Sequence, residues 1–234
     1  MGMMKNGWYE YKDWKTKYLN RELDGVLYKL CQENWEHTNT EIIRAKFVIV
    51  NRVYAAGAER HVKYALQEEL GCIEPYVIKL HELRGELDRR LKRLRSNYSL
   101  DAYAGTTVSD PKIVADIVDF HGWLNTNLQF VTRNEVSLRS FVSKYLHFHV
   151  PIFPIYDSNS TLVIDKSDWY PWKNEWDEKY NLCPKDSDEE YWIFCIRIAE
   201  MVAEWPYGRH LPPTSRNIDR LLMCAATNGW YSLK

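Results

Sequence analysis

Apolar residues recur every three or four positions along most of this chain and alternate with polar ones almost nowhere. That spacing places them on one stripe of a helix, whereas strands need a period of two. Leu23, Val26, Leu27 and Leu30 form one such stripe, and Ile42, Ile43, Phe47, Val50 and Tyr54 form the next. Thr38 and Glu41 stand at capping-box spacing ahead of the second stripe, and Gly57 is placed to end it. Val62, Ala65, Leu66 and Leu70 suggest a short successor, and Leu80, Leu83, Leu87, Leu91 and Leu94 keep a steady period under a charged face. Asp110-Pro111 supplies an N-cap and a first-turn proline before Ile113, Val114, Ile117 and Val118. Helices are expected again over Val136–Phe148, over Glu189–Trp205 and, capped by Thr214 or Ser215, through Ile218, Leu221, Leu222 and Ala225. A brief extended piece is expected at Thr161–Ile164. The expected class is all-α, a compact multi-helix protein.

At 234 residues, with 45% hydrophobic and 27% charged residues, the chain can bury a large core without disulfide or metal staples. One helical domain over 1–234 is expected, with 101–109 the candidate boundary between two lobes flanking a cleft. The net charge of −1 gives no global attraction to nucleic acid or anionic membranes, so such binding would need a local patch. The five cysteines are widely spaced and form no C-x-x-C pair. No secretion-type apolar segment opens the sequence and no run approaches a membrane span, so a cytoplasmic setting is expected. No cofactor is expected. His147 and His149, two residues apart, fall on different helix faces with no third ligand suggested, so no metal site is expected.

The most informative words are Ser140-Phe141-Val142-Ser143-Lys144-Tyr145-Leu146-His147-Phe148 and, shortly after, Pro154-Ile155-Tyr156-Asp157-Ser158. On a helix Ser140, Lys144 and His147 share one stripe, while Leu138, Phe141, Tyr145 and Phe148 share another. Asp157 follows Pro154 and is placed to cap a next segment, which would bring its carboxylate near Lys144 if the two elements fold back. An amine beside an acid can act as a nucleophile when partly desolvated, and the acid can hold positive charge or orient a water. The plainer reading is an N-cap aspartate and a snorkelling lysine.

The segment resembles the helix–hairpin–helix DNA glycosylase superfamily, particularly its divergent 8-oxoguanine-glycosylase-like bacterial members. There a Ser/Thr-Lys-aromatic run precedes a Pro-Ile-x-Asp element. Ser215-Arg216-Asn217-Ile218-Asp219-Arg220-Leu221-Leu222 also looks like the Arg-x-x-Asp-x-x-Leu helix that closes such proteins. The resemblance covers about Val136–Asp157 and Thr214–Ala225. It implies a protein that flips a base out of DNA, with Asp157 as the electrostatic or general-base carboxylate and Lys144 as the candidate nucleophile. In that frame His147, Tyr156 and Trp172 are candidate substrate contacts, and Arg89, Arg90, Arg93 and Arg139 candidate DNA contacts. The residues ahead of Lys144, Ser137 to Ser143, contain no glycine where the superfamily turns a Gly-x-Gly hairpin around a phosphate. The alternative expectation is therefore a non-catalytic helical module that binds nucleic acid or protein, with Lys144 and Asp157 structural. The basic run of Arg84, Arg89, Arg90, Lys92, Arg93 and Arg95 interleaves with Glu82, Glu86 and Asp88, a pattern that also suits a solvated face of ion pairs.

Overall fold

The computed structural model describes residues 21–54, 56–62, 73–103, 108–166, 187–203 and 212–228. Within them the chain is all-α: nine α-helices and no strand, with one isolated bridge between Val62 and Thr132. The helices are α1 (Arg21–Glu33), α2 (Thr40–Val48), α3 (Glu74–Glu82), α4 (Arg84–Asn97), α5 (Pro111–Gln129), α6 (Arg139–His149), α7 (Ser158–Lys166), α8 (Glu189–Ala203) and α9 (Ser215–Asn228). Among the described residues, no helix is long and apolar enough to cross a membrane.

Local chemistry explains where these helices begin and end. Asp110 caps α5 by accepting from the Lys112 N–H at 2.8 Å, with Pro111 in the first turn. The cap of α2 is Asn39 rather than Thr38: its side-chain oxygen accepts from Glu41 N at 2.9 Å and Ile42 N at 3.3 Å. Glu41 consequently turns outward to Arg44 instead of closing a capping box. Beyond α2 the chain widens into a π turn, Ile49–Val53, before Gly57 adopts φ of 66°, a left-handed conformation that a side chain disfavours. The long stripe from Val77 to Leu94 is split at Leu83 into α3, which buries Val77 and Leu80, and α4, which buries Leu87, Leu91 and Leu94. The segment Thr161–Ile164, expected to be extended, lies inside α7, because Asp157 caps that helix and its branched residues Val163 and Ile164 find apolar cover.

One hydrophobic cluster runs through all nine helices. α6 lies at its centre, packed by α1 on one side and α5 on another, while α7 packs on α9 and α5 on α8. From Phe141 to His149 every residue of α6 is buried. This differs from the two-stripe expectation, in which one face packs and a separate one carries the polar groups. Here neighbours cover both stripes, so the polar side chains of α6 must find partners inside the protein. α5 and the start of α8 approach closely at Gly122, where an added Cβ would meet Ser187 Cα at 3.1 Å. Leu66, Leu70, Trp169, Trp172, Trp176, Trp205, Cys72 and Cys183 lie outside the described residues.

Candidate functional site

The expected meeting of amine and acid is present. Lys144, on α6, and Asp157, at the head of α7, approach to 3.7 Å between Nζ and Oδ2, with side chains 8% and 17% exposed. Both also have local jobs. Asp157 Oδ1 accepts from Asn159 N at 3.0 Å and Ser160 N at 2.9 Å, capping α7. Lys144 Nζ donates to the Tyr54 carbonyl at 3.0 Å, where the chain leaves the π turn. The two elements are further clamped at Ser143, whose hydroxyl donates to the Tyr156 carbonyl at 3.3 Å and accepts from Tyr156 N at 3.0 Å.

Lys144 and Asp157 are one end of a larger buried network. The Tyr54 hydroxyl donates to Asp24 of α1 at 2.5 Å. Asp24 also receives Arg216 at 2.6 Å and Arg220 at 2.9 Å, both from α9. Arg216 Nη1 donates to Asp219 Oδ2 at 2.8 Å, and Arg220 reaches the Tyr103 hydroxyl at 3.1 Å. Three acids (Asp24, Asp157, Asp219) thus face three cations (Lys144, Arg216, Arg220) in a region where unpaired charge would be costly. Burial pushes the Asp24 carboxyl up, but the Arg216 charge, its hydrogen bonds and Tyr54 together hold it below the ordinary carboxylate range. Asp219 goes the other way. Burial drives its carboxyl up to about 6; the Asp157 charge adds to this, while Arg216 and Lys144 oppose it. Its Oδ1 is buried with no hydrogen-bond partner among the described residues.

Of the other residues singled out from the sequence, His147 is fully buried beside this network. Its Nδ1 donates to the Phe153 carbonyl at 2.8 Å, so Nε2 accepts from the Tyr28 hydroxyl at 2.5 Å. Burial lowers its ring to about 3, which fixes the neutral form. Both nitrogens are therefore occupied by protein groups. Tyr156 is half-buried; its hydroxyl donates to Glu190, and Arg139 lies over its ring at 5.4 Å. Arg139 also binds Asp188 and Glu190, each at 2.6 Å, at the head of α8. Trp172 lies outside the described residues.

Arg89, Arg90 and Arg93 form a different neighbourhood. Arg89 pairs with Glu86 within α4, whereas Arg90 and Arg93 reach Asp119 and Asp116 of α5. Arg95, next on the helix, donates to the carbonyls of His149 and Gln32. These four arginines are therefore matched by carboxylates and carbonyls, as the interleaved pattern allowed. Among the described residues no group of three or more His, Cys, Asp or Glu side chains is arranged to hold a metal ion.

Sequence reasoning missed Asp24, Tyr54, Tyr103 and Arg220 as members of the network. Asp24 and Tyr54 lie at apolar stripes whose spacing marks packing and not chemistry. Arg216, Asp219 and Arg220 carried a signal: three charges at three- and four-residue spacing on a helix that also buries Ile218, Leu221 and Leu222. Comparison of the chain with protein-family models, with curated proteins and with solved structures returned no match.

Proposed function

We propose that this chain is a DNA-glycosylase-like protein that receives a flipped base, with Asp157 and Lys144 as its chemical pair. The observation that supports the reading is the approach of Lys144 Nζ to Asp157 Oδ2 at 3.7 Å, from two consecutive segments. In N-glycosidic cleavage the bond from sugar to base breaks with its electron pair leaving on the base, and positive charge grows on the sugar. A capped carboxylate such as Asp157 offsets that charge through its second oxygen. Lys144, once deprotonated, can attack the same sugar carbon, and ring opening then gives a Schiff base. Arg89, whose side chain is 63% exposed, and Arg139 are the proposed phosphate contacts.

Borohydride trapping on a panel of duplexes carrying damaged bases tests the reading. The wild-type protein is expected to give a covalent adduct that Lys144→Gln loses, and Asp157→Asn is expected to abolish base release. No adduct and no base release with the wild-type protein on any duplex would sink it.

A second reading has its own support. Lys144 and Asp157 already serve the Tyr54 carbonyl and the first turn of α7, and Arg89, Arg90 and Arg93 of α4 are paired with carboxylates. On that reading the chain is a non-catalytic helical module for nucleic acid or protein. Both substitutions then lower stability, with no activity present to lose.

A further inference from the structure

We propose that Lys46 is a pH-sensitive switch of this fold: a buried amine with no carboxylate partner among the described residues, whose proton loosens the junction of α1, α2, α4 and α6 and whose loss tightens it.

Lys46 lies on α2 and is fully buried. Its Nζ donates to the Asn34 carbonyl, just past α1, and to His149 Nε2 at 3.1 Å, in the last turn of α6. The His149 tautomer follows from its other nitrogen. Nδ1 faces the Tyr145 carbonyl at 2.8 Å, which only accepts, so Nδ1 carries the hydrogen and Nε2 the lone pair. Two acceptors therefore receive the amine, and two are what the hydrogens of a neutral amine need. An ammonium brings a third donor, which has no partner among the described residues, and a charge that burial makes costly.

The neighbouring charges do not relieve it. Asp88 of α4 is taken by His37, accepting from its backbone N–H and, at 2.6 Å, from Nδ1; His37 Nε2 then accepts from the Tyr145 hydroxyl at 2.8 Å. Arg95, also of α4, donates to the carbonyls of His149 at 3.1 Å and Gln32 at 3.2 Å. A second cation thus holds the very residue whose ring receives Lys46. Cys31 of α1 faces the amine as well. Burial keeps His37 and His149 neutral and the Tyr145 hydroxyl protonated, so none of these three changes charge near neutral pH.

This geometry gives the proton a direction. A lysine amine in water keeps its proton to about pH 10.4. Burial, opposed by Cys31 and Asp88 and helped by Arg95, brings Lys46 down to about 8. Opening the junction restores the ordinary value, so between pH 8 and about 10.4 the open form binds a proton that the closed form lacks. Closure gains as pH rises above 8, and that gain is gone once pH has fallen through 8. Below that point an unmatched ammonium sits in the seam, and α2 drawing back from α1 and α6 is what returns it to water.

NMR of the full chain with isotope-labelled lysine reads the amine directly. The Lys46 Nζ signal, the one missing from Lys46→Met, is expected to pass from ammonium to amine with a midpoint near pH 8. A midpoint in the ordinary lysine range overturns the proposal. Should Lys46→Met fail to fold, assignment through the backbone of α2 leaves this titration decisive in the wild-type protein. Hydrogen exchange reads the junction. Protection of the α2 amides, corrected for their intrinsic rates, is expected to rise about tenfold from pH 7 to pH 9 in the wild-type protein and to lack that rise in Lys46→Met. Equal pH profiles in the two proteins also overturn it. None of these outcomes depends on an activity towards DNA.

Discussion

Arg216 is the residue on which the buried charges turn. It binds Asp24 through Nε and Nη2 and Asp219 through Nη1, so one guanidinium serves two carboxylates from opposite ends of the described chain. A planar fork of donors suits this task, and a lysine ammonium would not span both acids. Arg216→Met keeps much of the volume but leaves two acids facing Arg220 and Lys144 alone. Breaking a buried pair by removing one partner is worth about 3–5 kcal/mol. Arg216→Met is therefore expected to lose that much in urea unfolding, and a loss below about 1 kcal/mol would show that solvent already screens the cluster. His147 makes a similar point in neutral form. The same sequence stripe that carries Lys144 places the imidazole against Tyr28 and Phe153, so it supports the site's wall without offering a free nitrogen.

At the scale of the element, helices were legible because their stripes and caps are local. Asp110-Pro111 and Thr214 cap where their residue types indicate. The cap of α2 was misread, since Thr38 and Asn39 are adjacent cap formers and only backbone geometry chooses between them. Asn39→Ala is accordingly expected to cost about 1 kcal/mol and Thr38→Ala to fall within about 0.5 kcal/mol of wild type, by chemical denaturation. Equal effects would contradict the observed cap. Thr161–Ile164 was misread for a different reason. Branched residues favour strands on average, but a capped first turn and apolar cover from a neighbouring helix outweigh that preference. The Lys144–Asp157 encounter was legible because the two residues lie on consecutive elements. Their partners on α1 and α9 were not, because no local pattern reports which distant stripes meet.

For the molecule as a whole, α6 and its surroundings hide an unusual amount of imidazole. His37, His121 and His147 are held neutral by burial, down to about 4, 4 and 3, and His149 is likewise pushed well down. The unfolded chain takes up these protons near pH 6.5, whereas the folded one resists until about pH 4. Folding thus gains from these groups above pH 6.5 and loses that gain as pH falls towards 4. Each contributes up to about 1.4 kcal/mol per pH unit. Asp219, raised to about 6, has the opposite sign: its contribution is present at low pH and lost as pH rises through 6, so it offsets about one of the four. The urea midpoint should therefore drop steeply between pH 6.5 and 4. A flat midpoint across that window would mean that the imidazoles reach water.

The contact between Asp24 and the arginines of α9 joins residues 192 and 196 positions apart. A chain emerging from the ribosome in order would carry the aspartate long before either guanidinium exists. Until then, of the partners described for Asp24, the Tyr54 hydroxyl alone is present, and the aspartate's charge is unmatched. The charge that α1 carries inward is therefore matched only once α9, the last of the described helices, is in place.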